Sequence, residues 1–116
     1  MFSENRSTVI LITRKGMGEA EQPLPTNLLK TYLTLLRDSE TLPDVICFYT
    51  EGVKLAVEGS PVLELLQDVE RKGVRLLLCS TCLNFYQLMD QVRVGIVGGM
   101  ADIIEAQRRA DKVISL

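Results

Sequence analysis

Short β-branched apolar runs alternate with stretches of helical periodicity along this whole chain, and no other feature narrows its fold as much. Thr8 to Thr13, Asp44 to Tyr49 and Val74 to Leu78 have the composition of strands buried on both faces. Val94 to Val97 is a weaker fourth run, and Lys112 to Leu116 a terminal fifth. Between them, Leu28, Leu29, Tyr32, Leu33, Leu35 and Leu36 recur at helical spacing over Asn27 to Arg37. Strands and helices that alternate with short connections form a mostly parallel sheet covered by helices. The expected fold is therefore α/β, a three-layer α/β/α sandwich with a mostly parallel sheet of about five strands.

The punctuation between these elements is also legible. Arg14 to Pro25 reads as a loop, and Thr50-Glu51-Gly52 as the close of the second strand. Val53 to Val57 reads as one or two helical turns. Ser60 as N-cap with Pro61 at the first helical position predicts a helix whose inner face is Val62, Leu63, Leu65, Leu66 and Val69, ended by Gly73. After the third strand, Cys79-Ser80-Thr81-Cys82 leads into a helix through about Met89. Gly98-Gly99 reads as a turn before a last helix, Met100 to Ala110.

A chain of 116 residues suits one domain, 1–116, because two would leave each half short of a core. Its net charge of −2 offers no positive field for a phosphate backbone, so nucleic acid is not an expected partner. No apolar run reaches the roughly 18 to 20 residues that span a bilayer, and Met1 to Arg6 carries no signal-peptide apolar region. The expectation is a soluble, cytoplasmic chain that engages no membrane. Three cysteines, an odd number, argue against a disulfide scaffold. The absence of histidine removes Ser-His and Cys-His couples and imidazole metal ligands. No cofactor or metal is called for.

In open α/β sheets, ligands sit beyond the carboxyl ends of the strands. Here those ends run into Arg14 to Gly18, Thr50 to Gly52, Cys79 to Cys82 and Gly98-Gly99. Met17, Gly18, Glu51, Gly52, Ser80, Thr81, Gly98 and Gly99 are accordingly candidate ligand-binding residues, with Cys79 and Cys82 the candidate catalytic ones. Cys79 ends a strand and Cys82 falls in the first turn of the next helix, so amide dipoles can favour thiolate there. Such a thiolate can accept a sulfur atom as persulfide or close a disulfide with its neighbour, and residue type does not separate these outcomes.

Plainer readings compete at each position. The two thiols can simply pack a strand–helix corner, since free cysteine is among the most buried residue types. A zinc site would need four ligands, and the one further cysteine, Cys47, lies mid-strand and reads as core. Arg14 to Gly18 fits neither a P-loop nor a GxGxxG pattern. Glu51 alone is compatible with mere solvation, and Glu105 to Arg109 reads as the outer face of the last helix.

Two stretches, Phe48 to Ser60 and Cys79 to Tyr86, closely resemble the DsrE-like domain at the C-terminus of YedF-type selenium metabolism proteins. The Gly-Val-Lys-Leu-Ala and Cys-x-Thr-Cys-Leu motifs carry the likeness, which covers essentially the whole chain. The resemblance implies a DsrE/DsrF-like sulfurtransferase fold, in a family whose members form homo- or hetero-oligomers and some of which relay sulfur as a cysteine persulfide. It implies Cys79 as the acceptor, after the third strand, and Cys82 as the second motif cysteine. Ser80 stands where glycine is common, and Gly98-Gly99 where a polar pair is often found. The chain leaves no room for the N-terminal sulfur-carrier domain with a Cys-Pro-x-Pro motif, so a partner activity would come from another protein.

The leading expectation is a sulfur-relay protein that accepts sulfur on Cys79 and passes it to a partner. The expected partners are further copies of itself, as a homo-oligomer, and a sulfur-donor or sulfur-carrier protein. A noncatalytic oligomeric binding module and a dithiol redox protein using Cys79 and Cys82 are the alternatives.

Overall fold

The computed structural model describes residues 7–116, so the leading segment read above for a signal peptide lies outside the described residues. Five strands form one sheet: β1 Thr8–Ile12, β2 Val45–Phe48, β3 Arg75–Cys79, β4 Ile96–Gly98 and β5 Lys112–Ser115. All pairings are parallel, and the order across the sheet is β4-β3-β2-β1-β5. The helices are α1 Leu24–Asp38, α2 Leu63–Arg71, α3 Ser80–Phe85 and α4 Met100–Arg109, with 3-10 segments at Thr50–Ala56 and Met89–Gln91.

This order fixes the layers. From β1 to β4 the chain steps one strand at a time in one direction, so right-handed crossovers put α1, α2 and α3 on one face. The connection from β4 to β5 runs back across the sheet, and the same handedness sends α4 to the other face. The α/β/α sandwich is thus unequal, with one face covered by a single helix. Strand alternation and register direct Ile10, Ile12, Ile46, Phe48, Leu76 and Leu78 towards α1 and α2, where each is at most 1% exposed. Val9, Val45 and Cys47 face the α4 side with Leu77.

The helix boundaries differ from the sequence reading at several ends, each for a local reason. Helix α1 starts at Leu24 rather than Asn27, with Pro25 in its first turn, where a missing N–H costs nothing. Helix α2 starts at Leu63, not at Ser60: the Ser60 hydroxyl accepts the Val62 N–H at 3.2 Å, closing a turn ahead of the helix instead of capping it. Gly73, at φ +103, ends α2 as predicted. Helix α3 stops at Phe85 instead of about Met89, because Gln87 takes φ +58 and the Leu88 N–H turns back to the Leu83 carbonyl at 2.8 Å. Gly98 belongs to β4 rather than to the turn, and only Gly99 precedes α4. Among the described residues no buried side-chain nitrogen or oxygen lacks a hydrogen-bond partner.

Candidate functional site

The carboxyl ends of β1, β2 and β3 meet at the 3-10 segment Thr50–Ala56. Its first residues are bound tightly to β1: the Tyr49 N–H donates to the Ile12 carbonyl at 3.2 Å. Gly52 is buried there because any Cβ would overlap the Ile12 carbonyl oxygen. The Thr50 hydroxyl lies 2.7 Å from the Thr13 carbonyl and 2.6 Å from that of Tyr49, and donates its proton into this pair. Thr50 itself has φ +48, a left-handed conformation that a β-branched residue adopts at a cost of about 1–3 kcal/mol. The tether to Thr13 opposes that cost.

The consequence of this bend is where the Thr50 backbone N–H points. It donates to Sγ of Cys82 at 3.1 Å. Cys82 lies in the first turn of α3, partly exposed, while Cys79, the last residue of β3, is 2% exposed. Cys79 lies near enough to Cys82 to act on its thiol. Burial pushes the Cys82 thiol above its ordinary value, the neighbouring Cys79 thiol pushes the same way, and the Thr50 amide opposes them. Cys79 stands at the N-cap of α3, but its side chain makes no capping hydrogen bond. The amide that reaches a sulfur in this site therefore comes from Thr50, across the sheet edge, rather than from the helix below residue 79.

Beside the thiols, Lys54 lies 4.2 Å from the centre of the Tyr86 ring and 3.4 Å from a Glu51 carboxylate oxygen. Phe85, 79% exposed, packs edge-on to Tyr86 with ring centres 5.1 Å apart. Glu51 is thus an ion-pair partner of Lys54, exposed at the rim.

The remaining candidates divide. Gly98 is brought beside Cys79 by the β3–β4 register. Ser80 and Thr81 open α3 between the cysteines. Gly99 donates its N–H to Asp102 at 2.9 Å, in the first turn of α4. Gly18 and Glu51 line a separate hollow of about 230 Å³ with Arg14 and Lys15, and neither thiol borders it. Met17, half-buried, packs against the core. Cys47 is fully buried in β2, its thiol pushed up to about 11 by burial, with Arg75 opposing. Among the described residues, no three Cys, Asp or Glu side chains gather as a metal site. A roomier cavity of about 350 Å³ lies at the opposite edge of the sheet, between α4 and the amino ends of β1, β2 and β3.

Sequence reasoning missed Thr50, Lys54, Phe85 and Tyr86. Nothing in the residue type of Thr50 announces a positive φ, and the Lys54–Tyr86 stacking joins residues distant in sequence. The arrangement supplies two neighbouring thiols, one on a partly exposed residue and supported by an amide donor. That is the equipment of sulfur–sulfur bond exchange.

No curated protein matches this chain. Among solved structures, the ychN protein from E. coli is similar over 96% of this chain and 99% of its own, with a TM-score of 0.74 and 17% identity. The protein of unknown function MTH1491 from Methanobacterium thermoautotrophicum is similar over 97% of this chain and all of its own, with a TM-score of 0.71 and 20% identity. BT1422 from Bacteroides thetaiotaomicron, a conserved protein of unknown function, gives a TM-score of 0.61 at 14% identity, covering 95% of each chain. At such identities the likeness concerns the fold. The DsrE/DsrF-like family model matches residues 8–116, nearly the whole chain, and the protein belongs to that family.

Proposed function

We propose that this protein relays sulfur: its thiol pair accepts a sulfane sulfur as a cysteine persulfide and hands it to a partner protein. The observation that carries the reading is the placing of Cys79 at the end of β3 and Cys82 in the first turn of α3, at the carboxyl edge of the sheet, with the Thr50 amide on the Cys82 sulfur. Family membership adds to it, since the DsrE-like fold is associated with sulfur relay. The step is balanced without an external oxidant. A thiolate attacks the outer sulfur of a donor persulfide, a new sulfur–sulfur bond forms as the donor's breaks, and the donor departs as a thiol carrying the displaced proton.

The acceptor position that the family resemblance implies is Cys79, with Cys82 resolving or protecting the persulfide. The partners are a sulfur-donor or sulfur-carrier protein and further copies of this chain. Edge strand β4 exposes Ile96 on the α4 side of the sheet, and α4 exposes Met100 and Ile104, apolar surface that supports the homo-oligomeric reading. Among the described residues, no helix is long and apolar enough to cross a membrane.

Incubation with glutathione persulfide followed by intact-protein mass spectrometry tests the relay. One added sulfur atom per chain, lost in the Cys79→Ser, Cys82→Ser double variant, is the expected result. A wild-type mass that never gains sulfur, or an adduct that persists without both thiols, overturns it. A mass lower by two hydrogens, with no sulfur gained, would instead favour dithiol redox chemistry.

A further inference from the structure

We propose that Cys82, not Cys79, is the thiol that receives the sulfur, and that Thr50 is its positioning residue, aiming a backbone N–H at Sγ. This rests on the relay reading above and reverses the order of roles that the family resemblance implies.

Access is the first argument. Cys79 is 2% exposed, beside Leu77 and Leu78 at the end of a central strand, while Cys82 is partly open to solvent. Attack on a donor persulfide needs the incoming sulfur in line with the bond that breaks, so a sealed thiol cannot meet a donor without local opening. Cys82 can.

The second argument is the donor geometry. Thr50 holds a conformation that its residue type disfavours, and Gly52 and the Thr50 hydroxyl lock that conformation onto the end of β1. The product of this arrangement is one N–H directed at one sulfur, 3.1 Å away. A fixed amide donor stabilises negative charge on Cys82 as it attacks and again when the persulfide leaves. The one titratable group that acts on Cys82 is Cys79 at the end of β3; Lys54, on the 3-10 segment, is held by Glu51 and the Tyr86 ring. Its charge is thus committed to those neighbours. In the step itself, Cys82 Sγ bonds to the outer sulfur of the donor, the donor's sulfur–sulfur bond breaks, and its inner sulfur leaves with the electron pair and takes up the proton lost by Cys82. Attack of the neighbouring Cys79 thiol on Sγ of Cys82 then discharges the product: the Cys79–Cys82 disulfide forms and the outer sulfur leaves as hydrogen sulfide.

Loading the full chain with glutathione persulfide, trapping with iodoacetamide and locating the adduct by tandem mass spectrometry separates the outcomes. Sulfur on Cys82 in the wild type, retained in Cys79→Ser and lost in Cys82→Ser and Cys82→Ala, is expected. Sulfur on Cys79 with Cys82 unmodified overturns this assignment while leaving the relay intact, whereas sulfur on neither thiol defeats the relay and the assignment together. For Thr50, the readout is the pH profile of Cys82 alkylation. Thr50→Gly keeps the positive φ but loses the tether, and should slow alkylation at pH 7 about tenfold and move the profile up by about one pH unit. Thr50→Ser, which restores the hydroxyl, should restore both. A Thr50→Gly profile that coincides with the wild type overturns the positioning role.

Discussion

Gly52 sits against Ile12 so closely that a single methyl group on it would overlap the Ile12 carbonyl oxygen. The clash would be between backbone and Cβ, which no rotamer change relieves. Gly52→Ala should therefore push the Thr50–Ala56 segment off β1 and destabilise the fold by about 1–3 kcal/mol in urea denaturation. Gly99→Ala is the control. Its Cβ would meet nothing within 4 Å and its φ is −109, so it should be tolerated within about 0.5 kcal/mol. Equal losses in the two variants would contradict the close approach.

The reactivity of Cys82 should rise steadily with pH. Burial first, and the neighbouring Cys79 thiol second, hold its thiol above the ordinary 9.0, so at neutral pH it rests protonated. Iodoacetamide alkylation, followed residue by residue, should still be accelerating beyond pH 9. Cys79→Ala removes one of the causes that raise the value and should shift the profile downward. A plateau near pH 7 in the wild type would be incompatible with this environment.

Alkaline pH should unfold the protein earlier than its surface charges alone would. An unfolded Cys47 ionises near 9.0, whereas burial in β2 holds the folded thiol near 11. Between these values the unfolded chain gives up a proton that the folded chain keeps. Stability is then intact below pH 9, falls as pH rises towards 11, and loses about 2–3 kcal/mol from this group. Tyr32, raised by burial, acts in the same direction. Cys47→Ala should lower stability at pH 7 through its cavity but flatten the decline between pH 9 and 11, as urea midpoints across that range would reveal.

The exposed apolar surface of Ile96, Met100 and Ile104 should be covered by another copy of the chain. Light scattering on the eluting protein is expected to give a multiple of 13.0 kDa. Ile104→Lys, on a side chain 48% exposed, should shift that mass towards one chain while leaving the far-ultraviolet circular dichroism unchanged. A wild type that elutes as a single chain would refute the pairing.

Local chemistry wrote most of this fold into the sequence. The apolar runs at residues 8–13, 44–49 and 74–78 read as buried strands, and their alternation with helices as a mostly parallel sheet of about five strands, which the all-parallel five-stranded sheet matches. The boundaries that shifted did so where two local devices compete: Ser60 closes a turn instead of capping α2, and Gln87 bends α3 to an early stop. The candidate site was half visible. Its two cysteines, spaced three apart at a strand end, needed no coordinates to be noticed. Which of them receives an amide hydrogen bond depends on Thr50, 32 residues from Cys82 in the chain. Only the packing of the 3-10 segment on β1 decides that, because a donor's direction is set by a backbone angle that residue type disfavours, and by tertiary contacts that no local pattern encodes.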